Sequence, residues 1–363
     1  VSYRELNVNV PRIEANSPIW VGRGISGALA DLIDLSRYSR IIVVCDSGAG
    51  AIASLINRSL KNTEQDLITL QGGEGCKDFD HLRQLWERFA ALKLDRKALV
   101  VGVGGGALSD LLGFATGTYM RGIDLIAVPT TLLAQVDAGI GGKCGINLAG
   151  VKNLVGVIKQ PRGILIDTDN LSSLPARDLR SGFAEIVKHG LIADPNYFAH
   201  VTSRPYSEWS SDQLCEIIYR SCEIKRDIVQ ADELELGQRK ALNFGHTIGH
   251  AIEAHCIKSD TSIITHGEAV AIGMRAACEI SNSVGLLSDA ALEQSIKGLS
   301  AVNLPTKLST PISAELLLSF IALDKKSVGG LPRWTLLSAI GKVTWDQKVE
   351  LDVIKKAIES IQP

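Results

Sequence analysis

Residues Val101–Asn153 read VGVGGGALSDLLGFATGTYMRGIDLIAVPTTLLAQVDAGIGGKCGINLAGVKN, and this stretch decides the fold. An apolar strand over Ala98–Val103 runs into three glycines, Gly104 to Gly106, and then into a helix-like run from Ser109 to Met120. That order sets backbone N–H groups and a helix N-terminus against a phosphate. Further on come Gly141 and Gly142 with a set of polar side chains: Arg121, Thr130, Thr131, Asp137, Lys143, Asn147, Lys152 and Asn153. A packed core tolerates few unpaired polar groups. The stretch therefore reads as the floor of an active site between two domains.

Upstream, strand and helix patterns alternate. Tyr3–Val10 alternates like a half-buried strand, Ser17–Val21 is a second short one, and Ile25–Leu35 has helical spacing. Arg40–Asp46 is an apolar strand ending in an acid, the pattern of a parallel strand buried on both faces. An acid there meets a ribose hydroxyl in many doubly wound folds, or caps a helix. Helix (Gly50–Leu60), strand (Gln65–Leu70), helix (Phe79–Leu92) and strand (Ala98–Val103) follow, which implies a parallel sheet covered by helices. The loop Gly72–Lys77 sits at a strand's C-terminal end, and its Glu74 and Lys77 give it a ligand-binding character beyond a plain turn.

Downstream the texture changes. Leu154–Ile166 keeps strand character, and from Leu174 the pattern is mostly helical: 176–192, 210–233, 245–254, 267–284, 289–298 and 314–324. Trp334–Ile340 reads as one strand and Val349–Ile361 as a last helix. The division is an α/β, Rossmann-like domain over 1–168 and an all-α domain over 169–363. A chain of 363 residues is long enough for both.

Bulk properties narrow the class. The formal net charge is −2, so no global field favours nucleic acid or an anionic membrane. No apolar run reaches the roughly 18 residues that a membrane span needs. The opening VSYRELNVNVPRIEAN alternates polar and apolar residues, so no secretory signal is expected there. Seven scattered cysteines without a C-x-x-C pair imply reduced thiols and a cytoplasmic setting.

The helical half carries one strong cluster, Asn243-Phe244-Gly245-His246-Thr247-Ile248-Gly249-His250-Ala251-Ile252-Glu253. His246 and His250 are four apart and share a helix face. Thr265-His266-Gly267-Glu268 lies just beyond, and Phe183-Ala184-Glu185-Ile186-Val187-Lys188 upstream. Two histidines and a carboxylate suit a catalytic zinc with an open position. Thr247 stands where a zinc protease has its glutamate base, which removes that reading. Glu185 and His189 form a second i, i+4 pair, so spacing leaves the ligand set open. For His81, His200 and His255 no neighbouring motif suggests a metal, and a surface or capping role is expected.

With these segments in view, the chain resembles the 3-dehydroquinate synthase family of the sugar phosphate cyclases. The likeness runs through 104–122, 128–147, 152–153, 182–192, 221–225, 242–253, 266–274 and Asp324-Lys325-Lys326, in one order along nearly the whole length. It implies an α/β domain holding NAD, a helical domain holding a divalent metal (zinc or cobalt), and substrate between them. The implied reaction converts 3-deoxy-D-arabino-heptulosonate 7-phosphate to 3-dehydroquinate and phosphate, with NAD consumed and regenerated. It is a step of the shikimate pathway to aromatic amino acids. The resemblance also implies a homodimer formed through the α/β domain.

Carried over by position, the metal ligands are Glu185, His246 and His266, with His250 and Glu235 in proton transfer. The NAD contacts are Asp46, Glu74, Lys77, Gly105, Gly106, Asp110, Thr130, Thr131 and Lys152. Substrate contacts are Arg121, Asp137, Lys143, Asn153, Lys188, Lys225, Arg239, Asn243 and a lysine of the Lys325-Lys326 pair, taken as Lys325. Arg121, Lys143 and Lys188 double as catalytic groups. A phosphorylated, carboxylated substrate is polyanionic, and these cations supply a positive pocket in a slightly acidic chain. Cys144, Phe244, Ser109 and Ser47 depart from residues common in the family, which bears on cofactor affinity rather than reaction class. The inosose- and valiolone-forming cyclases are the alternative, but their substrates lack the carboxylate that the cationic set serves. A metal-dependent polyol dehydrogenase is the remaining enzyme class, and it would accumulate NADH.

Overall fold

The computed structural model describes residues 17–61, 66–149, 151–259, 264–323 and 332–363. Among the described residues, eight strands belong to the first half: β1 (Ile19–Gly22), β2 (Arg40–Asp46), β3 (Leu67–Leu70), β4 (Ala98–Gly104), β5 (Asp124–Pro129), β6 (Lys143–Leu148), β7 (Val151–Ile158) and β8 (Gly163–Asp167). Six of them form one parallel sheet in the order β1-β8-β5-β4-β2-β3. The unbroken apolar runs fill its middle. All of β4 and Ile42–Cys45 of β2 are buried, as strands covered on both faces must be. Cys45 pairs with Val103 and Val103 with Val128, so β2, β4 and β5 end level. The chain reverses its winding between β2 and β4, and that crevice is where ligands bind in open α/β sheets.

Four helices cover this sheet: α1 (Leu29–Leu32), α2 (Gly50–Ser59), α3 (Phe79–Ala91) and α4 (Gly106–Thr118). The helical spacing over 25–35 resolves into the single turn α1 with 3-10 turns on either side. The strand expected at residues 3–10 lies outside the described residues.

Strands β6 and β7 form a separate antiparallel hairpin that lies along α4. Their close approach depends on glycine. A Cβ on Gly113 would stand 2.0 Å from the Cys144 Sγ, and one on Gly117 would stand 2.9 Å from Val157. The strand character read over 154–166 thus belongs to two strands in two different sheets.

Among the described residues, eight helices make most of the second half: α5 (Ala176–Ala193), α6 (Pro195–Val201), α7 (Ser211–Ala231), α8 (His246–Ser259), α9 (His266–Ser283), α10 (Asp289–Ala301), α11 (Ala314–Leu323) and α12 (Leu351–Ser360). Helix α5 is buried without a break from Ser181 to Ile192, which marks it as the central post of the bundle. The single strand expected at 334–340 is the first arm of a hairpin, β9 (Trp334–Ala339) with β10 (Lys342–Gln347). The two halves share apolar packing. Ala127, Leu132, Ile164 and Ile166 of the sheet side cluster with Phe183, Ile186 and Val187 of α5.

Candidate active site

The glycine turn at the end of β4 is pinned from below. The Gly105 N–H donates to Asp46 Oδ2 at 2.9 Å across the β2–β4 crevice. A Cβ on Gly104 would meet that same oxygen at 2.4 Å, so only glycine lets the strand end this way. Thr131 lies against Gly105 and accepts from the Ala134 N–H at 3.2 Å, while the Thr130 N–H donates to Gly104 O at 2.9 Å. Beside the turn, buried Lys77 reaches Asp110 at 2.7 Å and Glu74 at 3.4 Å. Burial pushes the Asp110 carboxyl up to about 6, although Lys77 works against it. Asn147 on the hairpin donates to Glu74 at 2.9 Å and accepts from the Asn153 N–H at 2.9 Å. The residues assigned to NAD from the loop, the turn and β5 therefore share one sheet edge.

The turn adjoins the helical half directly. A Cβ on Gly106 would stand 2.9 Å from Ala138, and the neighbouring Asp137 is held by the Lys225 ammonium of α7. Asp137 sits on a π-helical turn, Ala134–Ala138, which aims its carboxylate toward α5 and α7. Burial alone would raise its pKa; Lys225 and Lys188 outweigh burial and hold it well below the usual carboxylate range.

Next to Asp137 stands Glu185 of α5, wholly buried and ion-paired to Lys188. Its Oε1 lies 3.7 Å from His246 Nε2 and 3.7 Å from His266 Nε2. These gaps exceed a hydrogen bond, and Glu185 Oε1, the oxygen that Lys188 does not engage, has no hydrogen-bond partner. The other ring nitrogens are engaged: His246 Nδ1 lies 3.1 Å from Phe244 O, and His266 Nδ1 lies 3.0 Å from Glu253 Oε2. With a proton on each Nδ1, both Nε2 lone pairs face a carboxylate oxygen, an arrangement that a proton or a metal cation among them relieves. Ligand atoms around tetrahedral zinc stand roughly 3.3–3.6 Å apart, given bonds of about 2.0–2.2 Å. The trio fits a divalent ion, and its outer contacts are those that orient metal-bound histidines.

Both i, i+4 candidates of α5 lie near the site, since Asp137, Glu185 and His189 also bring ligand atoms within 4.8 Å of one another. His189 Nδ1 lies 2.6 Å from Ser221 Oγ in the core, and burial pulls its pKa down to about 3, so the ring is neutral. His250 stands one turn from His246 with ring centroids 5.1 Å apart, beside the trio rather than in it.

A second cationic rim lies across the cleft. Lys143 of β6 pairs with Glu235, which also accepts from Asn243 Nδ2 at 2.6 Å. Arg239 is buried and donates to Glu233 O at 2.6 Å and Gly141 O at 2.9 Å. Lys152 of β7 reaches Glu253 of α8 at 3.1 Å.

Within one chain Arg121 stands apart from these groups. It is exposed in the turn between α4 and β5, at the end of the sheet opposite the glycine turn, with a 13-residue helix about 20 Å long between them. Lys325 lies outside the described residues. Glu253 is the group that sequence reasoning passed over. Its signal was present: His246, His250 and Glu253 fall at i, i+4 and i+7 on one face of α8.

Known proteins resemble the chain over nearly its whole length. Residues 67–181 match the 3-dehydroquinate synthase N-terminal family model, and residues 182–327 match the C-terminal one. The 3-dehydroquinate synthase of Methylococcus capsulatus (strain Bath) is 37% identical over 350 residues, covering 95% of this chain and 96% of that protein. Among solved structures, 2-deoxy-scyllo-inosose synthase complexed with carbaglucose-6-phosphate, NAD+ and Co2+ superposes with a TM-score of 0.84 at 28% identity, covering 94% of this chain and 96% of that one. The 2-epi-5-epi-valiolone synthase of Streptomyces hygroscopicus subsp. jinggangensis, with NAD+ and Zn2+ bound, gives 0.86 at 25% identity, with 98% and 99% covered. Two family models that meet end to end, and a curated relative that spans almost the whole length, leave one assignment: the chain belongs to the 3-dehydroquinate synthase family.

Proposed function

We propose that the chain converts 3-deoxy-D-arabino-heptulosonate 7-phosphate to 3-dehydroquinate and phosphate, with NAD as a transient hydride store. The observation that carries the reading is adjacency. The glycine turn touches the π-turn that bears Asp137, and Asp137, Glu185 and His189 bring their ligand atoms within 4.8 Å of one another. A nucleotide on the turn and a cation on Glu185, His246 and His266 therefore face the same small molecule.

The glycine turn would hold NAD, which would supply a transient hydride acceptor. Glu185, His246 and His266 would hold a divalent ion, which would supply Lewis-acid chemistry. The chain's own groups do the rest. Lys143, Lys188, Lys225, Arg239 and Asn243 hold the phosphate and carboxylate and fix the sugar's orientation. Each of these lysines is pre-paired with Glu235, Glu185 or Asp137. The acids keep the ammonium groups in place before the anion arrives and are partly released from them when it binds. His250 stands beside the trio with its ring in the cleft, positioned to take or return a proton through an imidazole nitrogen. Glu235 fixes Lys143 and Asn243, and its carboxylate is the proton acceptor on the far side.

The test is incubation of purified chain with the heptulosonate phosphate, NAD and zinc. Phosphate release with 3-dehydroquinate and no net NADH supports the reading. Accumulating NADH with a simple polyol, or turnover only of sugar phosphates lacking a carboxylate, would move the chain to another class.

The same reading includes a homodimer. The hairpin leaves Leu148 47%, Val151 42%, Leu154 44% and Ile158 43% exposed, an apolar patch of the kind that marks an interface. We assign a second copy to it. No helix among the described residues is long and apolar enough to cross a membrane. All seven cysteines are unpaired, which supports a reducing, cytoplasmic setting.

A further inference from the structure

One carboxylate joins the two halves of the cleft. Glu253 lies on α8 with its side chain only 12% exposed. Its Oε2 is 3.0 Å from His266 Nδ1, on the second half. Its Oε1 accepts from Lys152 Nζ at 3.1 Å, on the hairpin of the first half and 101 residues away in sequence. His250 completes the surroundings, since a ring nitrogen of His250, a Glu253 oxygen and a His266 nitrogen lie within 4.8 Å of one another. Isolated exposed ion pairs contribute little to stability. This one differs because both ends are attached to groups that would each touch a ligand.

We propose that Glu253 is a positioning residue that couples the metal site to the nucleotide site. The inference rests on the reading that Glu185, His246 and His266 hold a divalent ion and Lys152 contacts the dinucleotide. A bound ion fixes the His266 ring through Nε2, and the ring's Nδ1–H then fixes the Glu253 carboxylate. The free oxygen of that carboxylate holds Lys152 where the hairpin meets the nucleotide. Whichever ligand arrives first orders the joint, so ordering costs less for the second. Such coupling is reciprocal: each ligand must tighten the other by the same factor.

The experiment measures NAD affinity by calorimetry with and without Co2+, and Co2+ affinity by chelator competition with and without NAD. In the wild-type chain each ligand is expected to tighten the other by about fivefold or more. Glu253→Ala should weaken metal binding by roughly 10- to 100-fold and leave the two ligands independent. Glu253→Gln keeps an oxygen for the His266 Nδ1–H but loses the charge that holds Lys152. It should keep metal affinity within a fewfold of wild type and lose the coupling. Lys152→Met should bind Co2+ alone as the wild type does, again without coupling. A merely local, structural role for Glu253 would not give that split. Coupling that survives in both Glu253→Gln and Lys152→Met, or independent binding in the wild type, overturns the proposal. A wild-type chain that binds neither ligand overturns the functional reading beneath it as well.

Discussion

At the scale of single residues, the site is a set of charges kept in place by other charges. His246 offers the plainest case, because its Nδ1 is anchored at Phe244 O and its Nε2 faces Glu185. His246→Ala should lose bound metal and catalytic activity together, by a factor of 100 or more, with metal content read by emission spectrometry. A variant with full activity and no bound ion would refute the assignment. Glu268 behaves differently. It is the N3 partner of the capping box that starts α9, two residues after His266, and it is bound by both Arg177 and Arg180. Burial alone would raise its pKa; Arg177, the Thr265 N–H and Arg180 outweigh that and pull it down to about 2. Because the folded value is depressed, the stabilisation is fully present above the unfolded value of about 4.3 and is lost as pH falls toward 2. With the arginines part-exposed, ~1–2 kcal/mol is a fair magnitude. Urea denaturation of wild type and Glu268→Gln should show that gap at pH 7 and its narrowing as the pH falls toward 2.

At the scale of elements, helix α4 and the β6–β7 hairpin depend on each other. The helix begins at the glycine turn, and the hairpin carries Lys143 and Lys152 to the cleft. Their contact is set by Gly113 under Cys144. Gly113→Ala should cost about 1–3 kcal/mol by overpacking, against a background gain in helix propensity. Cys144→Ala in the same chain should recover part of that loss, since it removes the sulfur standing 2.0 Å from the new carbon. Thermal unfolding of the single and double variants measures the non-additivity. Cys144 thus has a packing role on the helix-facing side of the hairpin. The π-turn at Ala134–Ala138 is another device of this scale, because it swings Asp137 out of helical register toward Lys225.

At the scale of the whole molecule, the exposed side of the hairpin calls for a partner. Leu154→Lys places a charge in the patch and should shift the chain from dimer to monomer in sedimentation velocity, with the far-UV spectrum unchanged. A wild-type chain that sediments as a monomer at micromolar concentration would remove the assignment. Much of the architecture was legible beforehand. The apolar β2 and β4 runs could only be central parallel strands, and Gly104–Gly106 could only be a tight turn at a helix start. The helical periods of α5 and α7–α9 were readable as well, because these are local properties of neighbouring residues. The hairpins were less legible: β6 is half polar and β10 alternates weakly, and each is a strand only because its partner is there. Spacing alone offered both Glu185 and His189 of α5 to the metal. The packing of α5 against α7 turned His189 to Ser221 and left Glu185 facing the histidines of α8 and α9. Arg121 lies in the same signature stretch as the site, yet within one chain the length of α4 carries it to the other end of the sheet. The pairs that complete the cleft, Lys143 with Glu235 and Lys152 with Glu253, bridge 92 and 101 residues. The sequence by itself determined the elements, the glycine turn and the kinds of side chain available. Tertiary packing decided which of them meet, because backbone propensity acts over a few residues while a charge finds its partner only where distant elements dock.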